Sequence, residues 1–174
     1  MEQERIVLDE GEIERAITRI AHEILEANDG ASTLRIVGIQ RRGAILAARV
    51  AARLSEFSGR DVPLGILDIG FYRDDIGSRP DAPQVHATEI DFEVTGASVV
   101  IVDDVLYTGR TVRAAIDAIF GYGRPERVQL AVLADRGHRE LPIRPDFVGK
   151  NLPTRRDEVV DVNVDGVDLG EMTR

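Results

Sequence analysis

The stretch that decides the fold is Val99-Val-Ile-Val-Asp-Asp-Val-Leu-Tyr-Thr-Gly-Arg-Thr111. Residues 98–102 form a short apolar run, the pattern of a parallel strand buried on both faces. Two adjacent carboxylates, Asp103 and Asp104, follow, and a Thr-Gly-Arg-Thr turn then opens a helix predicted over about 110–122. In open α/β sheets ligands bind beyond the carboxyl ends of the strands, so a site belongs at this turn. The unpaired N–H groups and positive dipole of a helix start attract an anion. Thr108 and Thr111 add hydroxyl donors, and Gly109 lets the backbone come close. A carboxylate pair directly before the turn suits sugar hydroxyls, or a magnesium ion held through water. A ribose 5-phosphate carries both kinds of group.

Upstream, Ile13, Ile17, Ile20 and Ile24 recur at helical spacing, with Asp9 as a cap and Gly30 beyond the end. Residues 34–39 and 62–69 read as strands, residues 43–57 as an alanine-rich helix, and residues 127–133 as a further strand. Helix and strand alternate without repeat or linker. The prediction is a single α/β domain over residues 1–174, with a mainly parallel central sheet flanked by helices. Residues 70–84 (GFYRDDIGSRPDAPQ) lack periodicity and are long for a connection, which marks either a disordered loop or a functional lid. The last dozen residues look unconstrained.

The chain has 174 residues, 43% hydrophobic and 30% charged, enough for one core without staples and too apolar for a disordered tail. No apolar run approaches the roughly 18 residues that cross a bilayer. The N-terminal stretch is acidic, unlike a targeting peptide, so a cytoplasmic protein with no membrane partner is expected. With no cysteine, thiolate nucleophiles, disulfides and Cys-ligated metals are excluded, and three histidines leave little for a His-rich metal site. The net charge of −9 taken alone argues against nucleic acid. Its distribution says otherwise. The excess acid sits in residues 1–34, 61–98 and 157–174, whereas residues 35–60 hold 6 arginines against Glu56 and residues 135–156 hold 6 bases against 3 acids.

The 99–111 string resembles the signature of the phosphoribosyltransferases, which transfer ribose 5-phosphate from phosphoribosyl pyrophosphate (PRPP) to a nitrogenous base. The resemblance implies the type I fold of that family, with a small hood near 135–162 and a flexible lid near 70–84 that includes Tyr72, Arg73 and Arg79. It implies that Asp103 and Asp104 hold the ribose hydroxyls. Leu106, Tyr107, Thr108, Gly109, Arg110 and Thr111 would then cradle the 5-phosphate, with Val105 also binding PRPP or nucleotide. Gly38-Ile-Gln-Arg-Arg-Gly43 sits where the family binds pyrophosphate, and Arg41 and Arg42 would neutralise it by charge-assisted hydrogen bonds. Mg²⁺ is the implied cofactor, touching Asp103 and Asp104 through water. Departure of pyrophosphate leaves an oxocarbenium-like sugar, so positioning and electrostatics carry the catalysis.

Purine-using relatives place an acid just before the Thr-Gly of the turn. Here Tyr107 stands there, and a phenol with a pKa of about 10 is a poor base at neutral pH. The longer string 103–111, together with 134–151, Ile17-Thr-Arg-Ile-Ala-His-Glu-Ile24 and Phe71-Tyr-Arg-Asp-Asp75, resembles instead the pyrimidine operon regulators that double as uracil phosphoribosyltransferases, the PyrR family. That resemblance implies uracil and PRPP as substrates, UMP as product, and a pyrimidine mRNA leader stem-loop bound to promote transcription attenuation. It also implies a homodimer or higher assembly. Candidates for the base are Arg136, Phe147, Val148 and backbone near Val160, the Phe147 side chain being equally readable as core. Candidates for RNA are Thr18, Arg19 and His22, on the face of the first helix opposite its isoleucines, with His138, Arg139, Arg144 and Lys150 from the hood. Glu14, Glu23 and Glu26 crowd the same helix, and the sequence presents no exposed aromatic platform. A purine salvage phosphoribosyltransferase without RNA binding, and an RNA regulator whose pocket only senses nucleotide, are the alternatives.

Overall fold

The computed structural model describes residues 5–70, 88–162 and 166–171. The elements run β1 (Arg5–Asp9), α1 (Glu10–Ala27), β2 (Leu34–Ile39), α2 (Arg42–Ser58), β3 (Leu64–Leu67), β4 (Ser98–Leu106), α3 (Arg110–Phe120), β5 (Arg127–Asp135), β6 (Phe147–Asn151), β7 (Glu158–Val162) and β8 (Gly166–Glu171). Five strands, in the order β3-β2-β4-β5-β6, form an all-parallel sheet. Its central strand explains the apolar run. Val100 and Val102 of β4 enter a core shared with α1 and α2, whereas Val99 and Ile101 enter the opposite core under α3. All four are buried, so between Ser98 and Asp103 both faces of β4 are apolar.

α1 begins where Asp9 indicates, with a complete capping box: the Asp9 carboxylate accepts from the Glu12 N–H, and the Glu12 carboxylate accepts from the Asp9 N–H. Its isoleucines 13, 17, 20 and 24 are buried as the spacing requires. Two boundaries differ from expectation. β4 runs on through the acidic pair to Leu106, because Asp103, Val105 and Leu106 continue the ladder with β5. β3 is only four residues long, shorter than the stretch 62–69, since Val62 and Ile69 are buried outside the ladder.

The C-terminal segment is not unconstrained. β8 lies between β1 and β7 in an antiparallel three-stranded sheet. Leu8 and Val162 from this sheet join the α1–α2 core. The hood is thus closed by the two ends of the chain. Among the described residues no helix is long and apolar enough to cross a membrane. The lid stretch, with Tyr72, Arg73 and Arg79, lies outside the described residues beyond Gly70.

Candidate active site

Three described helices begin in different ways. α1 closes its own N-terminus, but α2 and α3 start without a side-chain cap, from Arg41 and Gly109 respectively. Both of these starts follow strands of the parallel sheet, β2 and β4, and lie at its carboxyl edge. At the α3 start Thr108 Oγ1 accepts the Arg110 N–H at 3.3 Å; the other first-turn N–H groups of both helices have no intrahelical partner and suit an anion. Gly109 adopts φ 94°, a left-handed conformation that a side chain would oppose.

Between the two starts lie Asp103 and Asp104. Asp103 is buried, and its Oδ1 accepts the Asp104 N–H at 2.9 Å, while Asp104 Oδ1 accepts the Val105 N–H at 2.8 Å. These bonds fix both carboxylates against their own backbone. Gly43, in the first turn of α2, rests directly on this pair: a β-carbon there would meet the Val102 carbonyl oxygen at 2.7 Å and Asp103 Oδ1 at 3.1 Å. The expected pyrophosphate turn and the acidic pair are therefore one surface. Arg41 is exposed and forms no hydrogen bond or ion pair with another described residue, whereas Arg42 pairs with Asp161 of β7. Of the expected phosphate cradle, Leu106 turns its side chain into the core under α3 and Val105 packs against the α1–α2 core on the other face, so both offer backbone only.

The hood braces this turn from outside. The Thr108 carbonyl accepts the N–H groups of Glu140 and Leu141, and Arg110 Nε donates to Glu140 at 3.1 Å. Arg139 engages its whole guanidinium here. Nη1 donates to the Tyr107 carbonyl at 2.9 Å, Nε to the Ile143 carbonyl at 2.8 Å and Nη2 to Asp135 at 2.5 Å.

Tyr107 gathers a second cluster of side chains at the same edge. The Arg136 guanidinium lies over its ring, 4.2 Å from the centroid, and the His138 ring meets it edge-on at 5.8 Å. Arg136 is itself buried. Its Nε donates to Thr154 Oγ1 at 3.2 Å and its Nη2 to the carbonyls of Arg155 and Glu158 at 3.1 and 2.7 Å. His138 Nε2 lies 2.6 Å from the Thr154 carbonyl. Because the Glu158 carbonyl points away from β8 toward Arg136, the backbone groups of Val160, two residues on, face the same open edge of β7. Val148 packs partly buried against the α3 core. The Phe147 ring is 4% exposed inside the α1–α2 core, so its side chain is a core residue that does not stack on a base, and only its backbone stays a candidate contact.

The expected basic set divides in two. Thr18, Arg19 and His22 do share one face of α1, but Arg19 donates to the carbonyls of Val148 and Gly149, at 3.1 and 2.7 Å, covering the open edge of β6. Lys150 follows these on β6 and donates to the Val7 carbonyl at 2.8 Å. Arg144 is exposed on the loop before β6. Within the chain, Arg139 does not join this face: its loop packs through Ile143 on the α3 side of the sheet, opposite α1. His138 stays with Tyr107.

Sequence reading missed Asp135, Thr154 and Asp161, which hold Arg139, Arg136 and Arg42. Asp135 alone had a local signal, the Asp-x-Gly spacing in which its Oδ1 accepts the Gly137 N–H at 3.0 Å. The partners of Thr154 and Asp161 are 18 and 119 residues away and leave no mark in the sequence.

Residues 5–168 match the phosphoribosyl transferase domain family. The bifunctional protein PyrR of Roseiflexus sp. strain RS-1 is 61% identical over 167 residues, covering 96% of this chain and 91% of that protein. The PyrR of Deinococcus radiodurans is 56% identical over 169 residues, covering 95% and 92%. Among solved structures, a hypoxanthine-guanine phosphoribosyltransferase from Bacillus anthracis superposes with a TM-score of 0.72 at 16% identity, covering 99% of each chain, a likeness of fold alone. The match over nearly the whole length, with the acidic pair set between two open helix starts, makes this chain a phosphoribosyltransferase-family protein and a member of the PyrR group within it.

Proposed function

We propose that the protein converts uracil and PRPP to UMP and pyrophosphate, and that it binds a pyrimidine mRNA leader stem-loop in a nucleotide-dependent way to promote transcription attenuation. The observation that carries the enzymatic half is Asp103 and Asp104 between two uncapped helix starts, with Tyr107, not an acid, at the base end. The α3 start and Thr108 to Thr111 receive the 5-phosphate. Asp103 and Asp104 hold the ribose hydroxyls and lie beneath the cationic sugar of the transition state. Arg41, at the uncapped start of α2, receives the pyrophosphate, and Arg42 joins it on release from Asp161. The open edge of β7 at Val160 supports a planar base with both donor and acceptor edges, held beside Tyr107. Hypoxanthine or guanine would lack the carboxylate that accepts a ring proton, so the purine reading is not favoured.

Among the described residues no three carboxylate or imidazole groups gather into a metal cage. An adjacent carboxylate pair instead fits an ion that keeps its waters and arrives on phosphate oxygens, as Mg²⁺ does. When bound, such an ion neutralises charge on the departing pyrophosphate.

The regulatory half uses the α1 face of Thr18, Arg19 and His22 with Lys150 and Arg144, while His138 and Arg139 act from the nucleotide end through the loop they order. A gel-shift titration with a pyrimidine leader stem-loop, with and without UMP, tests this half. Tighter binding with UMP is expected. Absence of any UMP-dependent shift leaves an enzyme only.

A further inference from the structure

Taking the RNA-binding reading above as its basis, we infer that His22 and Phe57 form a stacking platform for one unpaired RNA base, and that Glu26 selects guanine there. The sequence showed no aromatic platform because its halves lie on different helices. In the fold, the His22 ring on α1 stacks on the Phe57 ring near the end of α2, with centroids 4.1 Å apart and planes 10° from parallel. Phe57 packs against the core and so fixes the plane, while His22 is exposed and leaves its other face to solvent. A ring held from behind loses little freedom when a base settles on it.

The platform borders a groove of about 690 Å³ whose walls include Arg15, Thr18, Arg19, Glu26 and Arg53. Its charges are sorted rather than merely mixed. Glu14 is taken by Arg49 and Arg53, and Glu23 by Arg19. Among the described residues, Arg15 and Glu26 alone in this groove carry a charge with no ion-pair or side-chain hydrogen-bond partner. Arg15, two turns before His22, suits a backbone phosphate, and Glu26, one turn after it on the same face, suits the base edge. A carboxylate only accepts hydrogen bonds. Guanine is the base that offers two adjacent donors, N1–H and the 2-amino group, on its Watson–Crick edge. Unstacked bases of RNA loops are read in this manner, by an aromatic face and an edge contact. The acids that count against RNA by composition thus become, in the fold, two neutralised anchors and one reader.

The test uses the leader stem-loop in a set of hairpins, each with a single loop position replaced by 2-aminopurine, whose fluorescence falls on stacking. Wild-type protein should quench one position and bind it best when guanine stands there. His22→Ala should abolish that quenching and weaken binding about ten- to a hundredfold, with the salt dependence unchanged, because a stack and not a phosphate contact is lost. His22→Phe should restore both. Phe57→Leu keeps the core filled and should still reduce quenching, which separates the stack from folding. Glu26→Gln should erase the preference for guanine over adenine while leaving the quenching. Wild-type affinity retained in both His22→Ala and Phe57→Leu, or a loss that comes with a shallower salt slope and no quenched position, would overturn the platform while the RNA reading stands. If the wild-type protein binds no hairpin with or without UMP, the RNA reading fails and the platform with it.

Discussion

The proposed phosphoribose end and the proposed base end of the site sit side by side and are built in opposite ways. The first is a single run of chain, Asp103 to Thr111, whose acidic pair carries its own hydrogen bonds, each aspartate accepting an N–H from the residue after it, while the hood braces the turn beyond it. The second is assembled from Tyr107, Arg136, His138, Thr154 and the β7 edge, held by one buried guanidinium reaching 18 to 22 residues forward. A site made by local backbone geometry can lose a side chain and keep its shape. A site made by distant hydrogen bonds loses shape and chemistry together.

The difference is sharpest in substitutions. Asp104→Asn, isosteric and half-exposed, should lower turnover about a thousandfold by removing charge under the developing cation, with no shift in thermal midpoint. Comparable turnover in this variant would remove the ribose-holding role. Arg136→Met should behave oppositely. It strands the Glu158 carbonyl and takes one of two partners from Thr154 Oγ1 and from the Arg155 carbonyl, costing about 3 kcal/mol of stability, with the rise in KM for uracil exceeding that for PRPP. A urea titration beside initial rates checks both. Gly43→Ala falls between, since its β-carbon must push the α2 start off Val102 and Asp103. A loss of about 2 kcal/mol is expected, with KM for PRPP raised and KM for uracil held.

The smallest effect lies outside both ends. Glu14 joins α1 to α2, and the hydrogen bond from Arg49, then that from Arg53, holds its carboxyl below the ordinary carboxylate value. A folded-state pKa below the unfolded one stabilises the fold above the unfolded value and ceases to do so as pH falls through the folded one. The pair is largely exposed, so Glu14→Gln should cost under about 1 kcal/mol at pH 7. That difference should shrink as pH is lowered below the ordinary carboxylate range in parallel unfolding titrations.

The same contrast governs how much the sequence reveals. The buried strand, the acidic pair and the open start of α3 are legible because each follows from neighbours in the chain. So is α1, with Asp9 and Glu12 three residues apart and its isoleucines in register. Phe147 stayed open because an apolar residue beside a site reads equally as contact and as core, and only the face of β6 decides. Arg139 read as a surface charge because nothing near it announces that Tyr107, Ile143 and Asp135 converge on its guanidinium. β8 escaped notice because, beyond its hairpin with β7, the partner that ties it to the fold, β1, is at the other end of the chain. His22 and Phe57 escaped for the same reason, being joined only when α1 packs on α2.

The central claim is that a base end built on Tyr107 and a β-strand edge accepts uracil where a carboxylate would serve purines. It is tested most directly by steady-state rates of pyrophosphate release from PRPP with uracil, hypoxanthine, guanine and xanthine under one condition. The kcat/KM for uracil should exceed each purine value by about a hundredfold or more, the scale of discrimination expected when a site leaves a substrate's polar groups unpaired. A purine used as well as uracil would contradict it.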